Sequence, residues 1–219
     1  MELLFIPAKS NEKISFSGLK IDGKIGVVTT IQHLEQARKA CGKNFVFGGQ
    51  ILGCNFNNAI KMKNKVDKYL YVGTGQFHPI GLALNTGKEV YILNPMSRQF
   101  YMLDKNDIAR YENRRKGALL KFLNARQVGL LITLKLGQYT PGKYTGIKEK
   151  LKQAEKIKEL YPSKHFYVLI FNTLRKEDLE NFKGIECWAN MACPRIVDDY
   201  DGIVNIKDVL AASKKKARR

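Results

Sequence analysis

The chain has 219 residues, 44% hydrophobic and 26% charged, enough to bury a core as one large domain or two small ones. The opening "MELLFIPAKS" is too short and too soon polar for a signal peptide, and no run approaches the roughly 18 apolar residues of a membrane span, so a cytoplasmic protein with no membrane attachment is expected. The net charge of +18, from 38 Lys and Arg against 20 Asp and Glu, points to a polyanionic partner or environment, but no RNA-recognition signature, basic zipper or zinc-finger spacing accompanies it.

In chain order, "IGVVTT" at 25–30 is a β-branched apolar run followed by the helix-like "IQHLEQARKA", the pattern of a buried parallel strand feeding a helix. A strand at 44–48, a segment around "NFNNAIKM" and a strand at 68–72 follow. A basic helix is predicted over 107–125. The design then repeats: "VGLLIT" at 128–133, the loop "LKLGQYTPGKYT", the periodic helix "GIKEKLKQAEKIKELY", a strand "HFYVLIFN" at 165–172, a helical "RKEDLENF" and a strand at 185–190. Aligned this way, "VDKYLYVGTGQFHPIG" takes the slot of "GIECWANMACPRIVDD". Strands alternating with helices in both halves predict an α/β protein: two similar domains with parallel sheets flanked by helices. The expected boundaries are an N-terminal segment at 1–20, a first domain at 21–115, a second at 116–212 and a basic tail at 213–219, whose "KKKARR" is read as disordered.

Ligands of such sheets gather at the carboxyl ends of the strands. Four loops fall there: "GGQILGCN", "GTGQFHPIG", "KLGQYTPG" and "ACPR". Two of them present a thiol, Cys54 behind Gly53 and Cys193 before Pro194. Four cysteines in a chain without secretory features argue against a disulfide framework, and none has the CxxC spacing of a zinc ribbon or redox site. Cys41 and Cys187 fit buried, inert thiols. Isolated cysteines on separate loops suit an iron–sulfur cluster. A nucleophilic cysteine would want a histidine base, and no spacing pairs either thiol with His33 or His78. Inert thiols and a cluster both stand on the residues alone.

Six runs, "TTIQHL", "GQILGCN", "YVGTGQFHPIGLAL", "NP" at 94–95, "GLLITLKLGQ" and "NMACPRIVDD", occur in an order and spacing that resembles the archaeal first-step diphthamide synthase family, the 2-(3-amino-3-carboxypropyl)histidine synthases, from about residue 20 to 210. The resemblance implies a 4Fe–4S cluster held by one cysteine from each of three similar α/β domains. It implies S-adenosylmethionine as co-substrate and transfer of its 3-amino-3-carboxypropyl group, by radical chemistry, to a histidine of translation elongation factor 2. Cys54 and Cys193 match the family's second- and third-domain ligands. The matched region starts at the second domain, so a separately encoded first-domain polypeptide, in a homo- or hetero-oligomer, is expected to bring the third thiolate.

Within that reading, Gln138, His78, Arg195 and His33 are the cofactor-binding candidates. Gln138 would meet the amino-acid part of the cofactor, or is a turn amide. His78 would touch ligand, or packs beneath Pro79. Arg195, with Lys135, would neutralise the carboxylate, or Arg195 pairs with Asp198 or Asp199. His33 lies near the same edge. Two alternatives come from other classes: a non-catalytic partner subunit that keeps the fold, and a basic RNA- or ribosome-associated module.

Overall fold

The structure, a computed structural model, describes residue 4 and residues 6–135, 147–200 and 202–216. It divides into two compact units, Met1–Ala109 and Arg110–Arg219. The division falls inside one long helix.

The first unit runs β1 (Ile25–Thr29), a 3-10 turn (Ile31–His33), α1 (Leu34–Ala40), β2 (Phe45–Gln50), α2 (Asn57–Met62), β3 (Lys68–Val72), α3 (Phe77–Thr86), β4 (Val90–Leu93) and β5 (Phe100–Met102), and enters α4 (Lys105–Asn124). The sheet order is β2-β1-β3-β4-β5, parallel except for the β4–β5 pair. β1 is buried along its whole length. That burial explains why it reads as a continuous β-branched run instead of an alternation. Its core joins Ile25, Val27, Leu70, Val72 and Ala37 of α1. Phe16 is buried in the same core and stacks 4.9 Å from Phe45, so the segment before β1 packs onto this unit.

The second unit runs β6 (Gln127–Thr133), α5 (Ile147–Leu160), β7 (His165–Phe171), α6 (Lys176–Glu180), β8 (Cys187–Asn190), α7 (Ile196–Asp199), β9 (Ile203–Asn205) and α8 (Ile206–Lys216). Its order, β7-β6-β8-β9, is parallel throughout. The α/β architecture expected from sequence is what forms.

The likeness of the two sheets extends to register. Gly26 of β1 sits opposite Tyr69 of β3, and Gly129 of β6 sits opposite Trp188 of β8. A Cβ at Gly26 would lie 2.9 Å from the Tyr69 ring, and one at Gly129 would lie 2.2 Å from the Trp188 ring. In each sheet, a glycine on an interior strand makes room for a large ring on its neighbour. By the same register Tyr71 and Asn190 occupy equivalent positions.

Part of the basic tail corrects the sequence reading. α8 continues through Lys216, so 214–216, read from sequence as disordered, is helix. Its "KDVLAASKKK" is rich in helix formers, and cations in a last turn are favoured by the helix dipole.

Candidate functional site

In the first unit, three sequence-predicted residues lie at the carboxyl edge of the parallel strands. Cys54 follows β2. Ile51 N–H donates to Thr29 C=O (2.7 Å), and Asn55 N–H closes a tight turn on Leu52 C=O (3.0 Å). Gly53 takes φ +54, and nothing lies within 4 Å of where a Cβ would stand. The turn thus needs glycine for its backbone conformation, and the space beside it is open. Asn58 Nδ2 ties the loop base to Gln50 C=O (2.9 Å). The Cys54 thiol is half-buried.

His78 opens α3, half-buried, after the loop that follows β3. Its Nδ1 lies 3.1 Å from the Oη of buried Tyr71, and Phe77 packs edge-on at 5.2 Å. His33 ends the 3-10 turn after β1. It is only 7% exposed, and its Nδ1 has no hydrogen-bond partner in the structure. Burial holds its pKa below the ordinary histidine value, against an opposing pull from Glu12.

In the second unit, Cys193 and Arg195 follow β8. The loop that carries them hangs on two buried amides. Asn190 Nδ2 donates to Cys193 C=O (2.9 Å) and to Asn205 Oδ1 (2.9 Å), and Asn190 Oδ1 accepts Ala192 N–H (2.9 Å). Asn205 Nδ2 reaches Pro194 C=O (3.3 Å). Ile196 N–H donates to Cys193 C=O (3.0 Å), which starts α7 directly behind the thiol. Pro194 removes one donor and fixes one φ. The half-buried Cys193 is therefore held by a polar clamp at the ends of β8 and β9.

Arg195 is exposed at the N-cap of α7. Asp198, one of the two residues named from sequence as an alternative partner for Arg195, receives the Arg114 guanidinium at 3.3 Å. Lys135 N–H donates to Thr133 Oγ1 (3.1 Å) at the end of β6. Gln138 lies outside the described residues.

The other two thiols differ in kind. Cys41 closes α1 with its Sγ on Ala37 C=O at 3.3 Å, and burial pushes its pKa up to about 11. Cys187 is buried inside β8, also pushed up to about 11, against weaker opposing pulls from Lys121 and Lys164. Neither thiol ionises readily near neutral pH.

Three polar residues at the strand ends were missed from sequence: Asn190, Asn205 and Tyr71. Asn190 stands inside "NMACPR" with the thiol three residues on, so its offset from Cys193 was readable. Asn205 and Tyr71 gave no local signal, because their roles depend on register.

Among the described residues no group of three or more His, Cys, Asp or Glu is gathered to hold a metal ion. Each unit offers one half-buried thiol on a strand-end loop. That soft, sparse donor set fits a thiolate-bound cluster with further ligands from elsewhere, and it does not fit a zinc site completed within one unit.

The family profile described as "Putative diphthamide synthesis protein" matches residues 7–203. The chain is 29% identical over 201 residues to the 2-(3-amino-3-carboxypropyl)histidine synthase of Pyrococcus horikoshii, covering 83% of this chain and 53% of that protein. It is 31% identical over 180 residues to the synthase of the same name from Methanocaldococcus jannaschii, covering 81% and 47%. Among solved structures, the crystal structure of Dph2 from Pyrococcus horikoshii with a 4Fe–4S cluster superposes with a TM-score of 0.71 at 27% identity, covering 87% of this chain and 57% of that one. The chain spans about half the length of the curated relatives it matches.

Proposed function

The chain belongs to the diphthamide synthesis family, and from that premise we propose that it takes part in the first step of diphthamide biosynthesis as a 3-amino-3-carboxypropyl transferase. In this reading Cys54 and Cys193 each supply one thiolate to a 4Fe–4S cluster. When bound, such a cluster would supply one electron to open a carbon–sulfur bond of S-adenosylmethionine, so that methylthioadenosine leaves and the 3-amino-3-carboxypropyl group passes to an imidazole carbon of a histidine of translation elongation factor 2, which gives up its C–H hydrogen as a proton and returns the electron. A cluster with one iron open to the co-substrate takes three thiolates. The third comes from a further domain, on this polypeptide or on a separate first-domain polypeptide. Cys41, half-buried at the end of α1 with its Sγ on Ala37 C=O, and Cys187, buried inside β8, do not stand on strand-end loops and are poorly suited to that role.

The chain's own residues do the holding. The αL turn at Gly53 and the Asn190–Asn205 clamp fix each thiol within its own unit, and a thiol already held loses little entropy on binding. In this reading His78, Arg195, Lys135 and Gln138 are the residues that hold the amino-acid end of the co-substrate, through charge-assisted hydrogen bonds. His33, enclosed at the same edge as Cys54, supports that edge from within. The single observation that carries the reading is the pairing of family membership with a half-buried thiol at the carboxyl-end loops of each sheet. The experiment is anaerobic incubation of the reconstituted complex with S-adenosylmethionine, a reductant and archaeal elongation factor 2. Methylthioadenosine release with a 3-amino-3-carboxypropyl mass added to one histidine supports the reading. A reconstituted cluster that releases no methylthioadenosine overturns it. No helix among the described residues is long and apolar enough to cross a membrane.

A further inference from the structure

Tyr71 is a buried tyrosine one residue from the carboxyl end of β3, and its hydroxyl has one hydrogen to place. Two acceptors are in range: His78 Nδ1 at 3.1 Å and Thr74 C=O at 3.5 Å. The nearer is within ordinary hydrogen-bond range and the farther is at its limit. Burial pushes the phenol up to about 12, so it keeps its hydrogen at any physiological pH. The rings of Tyr71 and His78 lie 5.6 Å apart at 38°, and Phe77 abuts the imidazole edge-on, which holds the ring's orientation. Gly73 lets the loop cross over the phenol, since a Cβ there would stand 2.5 Å from Tyr71 Oη. In the second sheet the equivalent register position is Asn190, whose side chain organises the Cys193 loop. Both units thus place a buried polar side chain at this position, turned to the loop at the strand's end.

We propose that Tyr71 is a positioning residue. By donating to Nδ1 it fixes His78 as the Nε2–H tautomer, which presents a ring N–H as a donor to an acceptor oxygen of the ligand. Which nitrogen carries the hydrogen in a neutral imidazole is decided by the bond the other nitrogen makes. On the function proposed above, on which this second half rests, the acceptor is the carboxylate of the co-substrate's amino-acid end.

The test begins without ligand, so its failure is separable from failure of the transferase reading. The chain has three histidines, and 15N ring resonances recorded well above the ordinary imidazole pKa of about 6.5 identify each tautomer. His78 in the wild type is expected to favour Nε2–H by about tenfold, the bias of one buried hydrogen bond. Tyr71→Phe should abolish that bias. Tyr69→Phe, which loses another buried phenol bonded to Ala59 C=O at 2.6 Å, should leave it intact. A wild-type His78 in the Nδ1–H form overturns the proposal even if Tyr71→Phe fails to fold, and so does an unchanged ratio in a folded Tyr71→Phe. In the cluster-loaded protein, the Kd for S-adenosylmethionine should rise about tenfold in Tyr71→Phe and in His78→Gln, and no further in the double variant. Additive losses would mean that Tyr71 does not act through His78, and would overturn its positioning role.

Discussion

Asn190→Ala tests whether the clamp behind Cys193 is what holds that loop. The side chain is 1% exposed and makes three hydrogen bonds of 2.9 Å, to Cys193 C=O, Ala192 N–H and Asn205 Oδ1. Each bond contributes about 0.5–1.5 kcal/mol net; alanine removes the Asn190 partner of Ala192 N–H and Asn205 Oδ1, while Cys193 C=O keeps Ile196 N–H. The expected loss is about 3 kcal/mol, the sum of three such bonds. Trp188, the chain's one tryptophan, lies two residues away on β8 against Phe182, so its fluorescence reports the unfolding of this unit. With a urea m-value of about 1.5–3 kcal/mol/M, the midpoint should fall by about 1–2 M. Asn205→Ala, which removes one acceptor and a longer 3.3 Å bond to Pro194 C=O, should lose about half as much. A midpoint for Asn190→Ala within about 0.3 M of wild type would refute the clamp, since that is below the effect of a single bond of about 1 kcal/mol.

The remaining predictions concern burial and backbone. His33 has a folded-state pKa below its unfolded value, so the stability it contributes is present above about pH 6.5 and lost as pH falls through the folded value. His33→Gln should flatten that acid slope in chemical denaturation of the first unit, and an unchanged slope would contradict the assignment. Lys150 is 6% exposed, donates to Thr133 C=O at 2.7 Å, and has its pKa lowered by burial. The unfolded chain therefore holds its proton more tightly, and wild type should gain stability relative to Lys150→Met as pH rises toward the unfolded value of about 10.4. Gly53→Ala meets no atom within 4 Å, so its cost is conformational alone, about 1 kcal/mol by thermal melting, with Gly53→Asn losing less.

Legibility from sequence followed the range of the forces involved. β1 and β6 were readable because strands covered on both faces select apolar, β-branched runs; β7, an edge strand that leaves Tyr167 and Ile170 exposed, was readable from its apolar run alone, and the four loops from glycine and proline. β2 was displaced to 45–50 because a bulge between Val27 and Val28 lets Gly48 slip out of register, an event set by pairing and not by local composition. The short strands β4, β5 and β9 carry three or four residues each, too few for a period to show. They form because a neighbouring strand presents unpaired groups. Among site residues, Cys54 and Cys193 stood out by their setting of glycine and proline. The polar supports Tyr71, Asn190 and Asn205 gain their roles only once β3, β8 and β9 are aligned beside the central strands.

The most direct test of the central claim is anaerobic reconstitution with iron and sulfide of wild type and the four single Cys→Ala variants. Each is supplemented with the portion of the Pyrococcus relative that this chain does not match, and read by bound iron and visible absorbance. The account predicts that Cys54→Ala and Cys193→Ala lose the cluster while Cys41→Ala and Cys187→Ala keep it. A full cluster in Cys54→Ala or Cys193→Ala, or equal loss in all four, would contradict it.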